Sequence, residues 1–122
     1  MNTPAIKATF ELDEEGRPTA VGQGNLQHYN IKLSVDGAPD DTYAVTYLLD
    51  SSYYSDVREV RNADDGFEER LTSYGDYTVQ AKIRARDGVT TVAVPLSTAL
   101  ALGHGSTPTD AVAAALRNIE TH

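Results

Sequence analysis

The stretch Tyr77-Thr78-Val79-Gln80-Ala81-Lys82-Ile83-Arg84-Ala85-Arg86-Asp87-Gly88-Val89-Thr90-Thr91-Val92-Ala93-Val94-Pro95-Leu96 decides the fold class. Tyr77, Val79, Ala81, Ile83 and Ala85 alternate with polar residues, and a period of two belongs to a strand with one buried and one wet face. Asp87-Gly88 then interrupts the run, and this dipeptide suits the backbone of a tight type I′ turn, so the stretch reads as a β-hairpin. On its wet side Gln80, Lys82, Arg84 and Arg86 fall in one row. The plain reading of that row is a solvated strand face whose cations discourage edge pairing. The sharper reading is a cationic stripe on an otherwise acidic chain.

The same pattern extends outward. Tyr29, Ile31, Leu33 and Val35 alternate with His28, Asn30, Lys32 and Ser34, and Asp36-Gly37-Ala38-Pro39 closes that strand. In Tyr43, Val45, Tyr47 and Leu49 the opposite face (Ala44, Thr46, Leu48) is only weakly polar, which predicts a central strand covered on both sides. Shorter strands are expected over residues 5–12, 17–21, 56–61 and 67–73. About eight strands in succession predict an all-β fold, an immunoglobulin-like antiparallel β-sandwich. The end of the chain departs from this pattern. Residues 97–102 read as a helical turn closed by Gly103, and residues 103–106 as a joint. A C-terminal helix follows, with Thr107 as N-cap, Pro108 in the first turn, Asp110 in a capping-box-like pair, and an apolar stripe of Val112, Ala115, Leu116 and Ile119. The expected organisation is a sandwich over residues 1–102 and a linker with an amphipathic helix over 103–122, packing on the same domain.

The chain has 122 residues, of which 40% are hydrophobic and 23% charged, so one globular domain is expected rather than a disordered segment. Eighteen acids against 10 bases leave a net charge of −8, which makes nucleic acid a poor partner and favours a basic peptide or a neutral ligand. With no cysteine, disulfides, thiolate nucleophiles and the usual structural zinc sites are excluded. His28, His104 and His122 are too dispersed for a local metal motif. Residues 1–16, MNTPAIKATFELDEEG, lack the basic start and apolar run of a signal peptide, and no apolar run approaches a membrane span. A cytoplasmic protein without membrane contact is the expectation.

No catalytic constellation stands out. Asp64-Asp65 and Glu68-Glu69 are adjacent acids in a loop running into a strand, where neighbouring side chains diverge. There is no phosphate-binding glycine loop and no nucleophile elbow. The reading is therefore not an enzyme, with no cofactor and no metal. A calcium site at Asp36, Asp40 and Asp41 is the minority alternative, although their spacing is not that of a known calcium loop.

Two loops carry a more specific signal. One reads Val45-Thr46-Tyr47-Leu48-Leu49-Asp50-Ser51-Ser52-Tyr53, the other Phe67-Glu68-Glu69-Arg70-Leu71-Thr72-Ser73-Tyr74-Gly75-Asp76-Tyr77. Both resemble the YEATS domain, in which a strand runs into an L-H-x-S-F type loop and a later strand into a G-W-G-E-F or G-Y-x-G-F type loop. Leu49, Ser52 and Tyr53 match the first, and Ser73-Tyr74-Gly75-Asp76-Tyr77 the second. The resemblance covers about residues 27–94, and the Leu-Asp-x-Ser-Tyr wording is closest to the prokaryotic, bacterial-style branch. Asp50 stands where many members have histidine, Ser73 replaces a glycine, and there is no tryptophan.

The resemblance implies the same immunoglobulin-like sandwich and, in addition, a non-catalytic binding module whose partner is an acylated-lysine peptide. Acylation removes the lysine charge and leaves a planar amide, which gains from burial between aromatic rings provided its polar atoms are hydrogen-bonded. Carried over, Ser52 supplies the hydroxyl, Tyr53 and Tyr74 the flanking rings, Ser73, Tyr74 and Gly75 the loop whose backbone meets the amide, and His28 (or Tyr29) the third wall. The alternative is a structural or regulatory interaction module without acyl-lysine binding, in which Tyr53 and Tyr54 are amphipathic loop residues and Tyr74 with Tyr77 secures a corner of the sandwich.

Overall fold

The computed structural model describes residues 4–23, 26–51, 53, 55–105 and 107–121. Eight strands precede two helices: β1 Ala5–Phe10, β2 Ala20–Gln23, β3 Leu26–Asp36, β4 Thr42–Leu48, β5 Val57–Val60, β6 Glu69–Ser73, β7 Thr78–Ala85, β8 Gly88–Pro95, α1 Leu96–His104 and α2 Asp110–Glu120. A single 3-10 turn, Ala63–Asp65, lies between β5 and β6.

The strands form two antiparallel four-stranded sheets. In the first, the long β3 is the spine. Tyr29 pairs with both Ala20 and Ser73, and Leu33 with both Ala8 and Glu69. β1 and β2 therefore share one edge of β3, and β6 occupies the other. The second sheet runs β5-β4-β7-β8. Ile31 and Leu33 of the first sheet and Val45, Tyr47, Val79, Ala81 and Ile83 of the second are all buried, so the expected alternation meets in one core between the sheets. The architecture is the immunoglobulin-like sandwich.

β4 lies inside its sheet and is buried on both faces, Ala44 and Thr46 on the outer face as well as Val45 and Tyr47 on the inner one. On the outer face the cover is a side chain from the next strand, since the Arg84 guanidinium donates from Nε to the Thr46 hydroxyl at 3.3 Å. The β7–β8 hairpin differs from expectation by one residue. Ala85 pairs with Gly88, so the turn residues are Arg86 and Asp87. Neither has a positive φ, and only Gly88 does, at 144°. The turn is thus not of type I′, and the glycine serves the first position of β8.

The C-terminal segment also departs from the sequence reading. Gly103 does not close a helical turn; it lies within α1, where a Cβ would overlap the Ala8 carbonyl, so α1 sits directly on the backbone of β1. His104 belongs to α1 rather than to a joint, and Gly105, with φ 80°, ends the helix. The N-cap of α2 is Thr109, not Thr107: its hydroxyl accepts the Val112 N–H at 3.3 Å. The apolar stripe behaves as expected, with Val112, Ala115 and Ile119 buried and Leu116 packed against them.

Candidate functional site

The loop after β4 is shaped by its own backbone. Leu49 N–H bonds the Asp56 carbonyl at 2.7 Å and Tyr53 N–H the Asp50 carbonyl at 3.1 Å, which turns the chain and directs Tyr53 toward the first sheet. There the Tyr53 hydroxyl donates to the Thr72 carbonyl at 2.7 Å and accepts from the Tyr77 hydroxyl at 3.1 Å. The two rings meet edge to face at 5.7 Å. Arg58 of β5 lies over the other side of the system, its guanidinium 5.7 Å from the Tyr53 ring centroid and its Nη1 donating to the Arg70 carbonyl at 2.7 Å. Burial, reinforced by the bond to Tyr53, holds the Tyr77 phenol well above its ordinary pKa, so it stays a neutral donor.

The loop after β6 is tighter. Ser73 is buried, and its hydroxyl donates to the Gly75 carbonyl at 2.7 Å and accepts the Gly75 N–H at 3.3 Å. Gly75 is buried as well, whereas Tyr74 between them is 46% exposed. Two buried flanks thus push one ring out of the end of the sandwich. His28 of β3 meets this ring edge to face at 5.2 Å. Among the described residues no hydrogen bond occupies the Tyr74 backbone N–H or carbonyl.

Of the residues expected at the site, Tyr53, Ser73, Tyr74, Gly75 and His28 lie at one end of the molecule, joined through Thr72; Ser52, like Tyr54, lies outside the described residues. Tyr29, the other candidate for the third wall, is buried and its hydroxyl accepts from Asn118 of α2 at 2.7 Å. The acids considered for calcium are placed differently: Asp36 pairs with Lys7 at 3.8 Å, and among the described residues no group of three or more His, Cys, Asp or Glu side chains is arranged to hold a metal.

Sequence comparison matches residues 29–95, more than half of the chain, to the prokaryotic YEATS domain. The chain belongs to that family. Comparison with curated proteins finds no match. Among solved structures, this YEATS domain is similar to the yeast AF-9 homolog Yaf9 (TM-score 0.55, 19% identity, covering 76% of this chain and 65% of that one). It is also similar to the Yaf9 YEATS domain recognising a succinylated-lysine peptide of histone H3 (TM-score 0.57, 14% identity, covering 94% of each chain). The likeness extends to the sandwich as a whole.

Three residues outside the expected ligand-binding set position the loops of this YEATS domain. Arg58 and Tyr77 hold Tyr53, as described. Asp76 does more. Its carboxylate accepts the Ser97 N–H at 3.0 Å and the Ser97 hydroxyl at 2.6 Å, capping the start of α1, where Pro95 offers no side-chain cap. The Tyr74 loop is therefore tied to α1. The available signal was the acid two residues beyond the exposed tyrosine; its partner, 21 residues on, was not visible.

Proposed function

We propose that this YEATS domain is a non-catalytic reader that binds an acylated lysine at the end of the sandwich formed by the loops after β4 and β6. The observation that supports this most is the Tyr53 hydroxyl on the Thr72 carbonyl, because it holds the two loops that carry the family wording against each other. In this reading the acyl amide lies against the exposed Tyr74 ring, with Tyr53 behind it and His28 backing Tyr74. The unpaired backbone of Tyr74 and the Ser52 hydroxyl satisfy the amide. Ser73 and Gly75 position the ring rather than touch the ligand, since their polar groups are bonded to each other. With a net charge of −8, a neutral acyl group such as acetyl or crotonyl is favoured over the succinyl group of the peptide bound by Yaf9.

A second reading is favoured by one observation: the Tyr53 hydroxyl and ring are already engaged by Thr72, Tyr77 and Arg58, as in a structural clamp. The domain would then be an interaction module without acyl recognition. Calorimetric titration separates the two. Acetyl-lysine and crotonyl-lysine peptides are expected to bind more tightly than the succinyl and unmodified forms, and Tyr74→Ala to weaken them by about 1 kcal/mol or more, since a stacked ring face is lost. Ser52→Ala is expected to cost about 1 kcal/mol through one hydrogen bond. Equal affinity for all four peptides, unaffected by either change, would leave the clamp.

A further inference from the structure

Five strands have an outer edge, β1, β2, β5, β6 and β8, and the first four are covered or short; β2 spans only four residues. α1 covers β1: the Phe10 N–H donates to Nε2 of His104 at 2.9 Å, and Gly103 lies on the Ala8 carbonyl. β6 has its outward Arg70 and Thr72 carbonyls taken by Arg58 and Tyr53. β5 is only four residues long and carries Arg58 and Glu59. Short length, charge and cover are the ordinary ways in which proteins prevent an edge from pairing.

β8 has none of these. It is eight residues long, uncharged and last in its sheet, reading Gly-Val-Thr-Thr-Val-Ala-Val-Pro. The two-residue turn makes Ala85 and Gly88 a hydrogen-bonded pair, so by alternation Thr90, Val92 and Val94 face the β7 ladder while the N–H and C=O groups of Val89, Thr91 and Ala93 point outward. Among the described residues nothing bonds these outward groups. Pro95, which has no N–H, falls at the next outward position and ends the row. Beside this edge runs an apolar groove of about 310 Å³, lined by Ile6, Val92, Val94, Thr98 and Leu102.

We propose that β8 is a strand-addition site for an extended segment of a partner protein in which apolar residues alternate with acidic ones. A strand added antiparallel to β8 forms main-chain bonds with Val89, Thr91 and Ala93, and one set of its side chains enters the groove. The other set lies on the outer face beside Thr91, whose cross-strand neighbour is Lys82. Thr91 is small, so Lys82 can extend across it, and Lys82 and Arg86 have no ion pair or hydrogen bond among the described residues. Arg84 in the same row is already shared between Glu59 and Thr46. This local charge selects acids. A second copy of the chain would present another uncharged β8, offer no acid to Lys82, and bring together two molecules of net charge −8.

The test uses the full chain and two ten-residue peptides, one alternating valine with glutamate and one alternating valine with lysine. The Val/Glu peptide is expected to bind and to slow hydrogen exchange at the Val89, Thr91 and Ala93 amides. Thr91→Pro, which removes an outward N–H and leaves the β7 ladder intact, is expected to weaken it at least tenfold, and Lys82→Glu to reverse the preference between the peptides. Should Thr91→Pro fail to fold, a Val/Glu peptide N-methylated at the residues facing β8 gives the same comparison on the unaltered protein, with the same tenfold loss expected. Binding that ignores both the proline and the N-methyl groups, preference of the unaltered protein for the lysine peptide, protection of amides elsewhere, or a dimer in sedimentation that the proline abolishes would each overturn the proposal.

Discussion

Gly103 shows how much one hydrogen in place of a methyl group can decide. Only a residue without Cβ lets α1 rest on the β1 backbone, so Gly103→Ala is expected to push the helix away and destabilise the domain by about 1–3 kcal/mol, read from chemical denaturation. The neighbouring His104 accepts from a backbone N–H through Nε2 and stacks on Phe10 at 5.6 Å, which requires a neutral ring. Burial holds its pKa below the ordinary histidine value. The unfolded chain therefore takes up the proton first as pH falls. The stability that His104 contributes is present above about pH 6.5, the unfolded value, and is lost as pH drops below it. A denaturation series from pH 8 to pH 5 is expected to show this loss, and His104→Phe to flatten that part of the profile; an unchanged profile would remove His104 as its origin. Both residues were read from sequence as parts of a joint, because glycine and histidine near a helix end usually mark termination. Here the glycine serves close approach and the histidine serves the edge of another strand.

At the scale of elements, the sheets were legible because period two survives in β3 and β7, where one face meets the core, and because the weakly polar second face of β4 marked it as covered on both sides. What was not legible depends on partners distant in sequence. Asp76 caps α1 from another loop, and Arg58 closes the β6 edge from another sheet. The hairpin turn was displaced by one residue because Gly88 entered the ladder, and the α2 cap moved from Thr107 to Thr109 because Pro108 separates two threonines and only the second hydroxyl reaches the Val112 N–H. α2 itself packs as the stripe predicts. Ile119→Ala is expected to cost about 2–5 kcal/mol, as for other large-to-small changes at fully buried positions. Ending the chain after Gly105 is expected to lower the Tm further, since it also removes Asn118 from the Tyr29 hydroxyl. A truncated protein that melts with the parent would show that α2 adds nothing to the core. Of the candidate site, the sequence displayed Tyr53, Tyr74 and their order; the Thr72 carbonyl that joins them is a backbone group and leaves no residue signature.

For the whole molecule, the decisive contrast is between a charge of −8 and an aromatic end of the sandwich. An acidic surface attracts any lysine-rich peptide, and that attraction falls as salt screens it. Stacking on Tyr74 and hydrogen bonding to its loop are short-ranged and largely survive added salt. The two contributions also oppose each other across a pair of ligands, because the acetylated peptide has less positive charge than the unmodified one. The most direct measurement is therefore the ratio of affinities for acetylated and unmodified lysine peptides of the same sequence, titrated at low and at high salt. Acyl reading predicts a ratio in favour of the acetylated peptide that increases with salt. A ratio at or below one at both salt concentrations, with both affinities vanishing as salt rises, would contradict it.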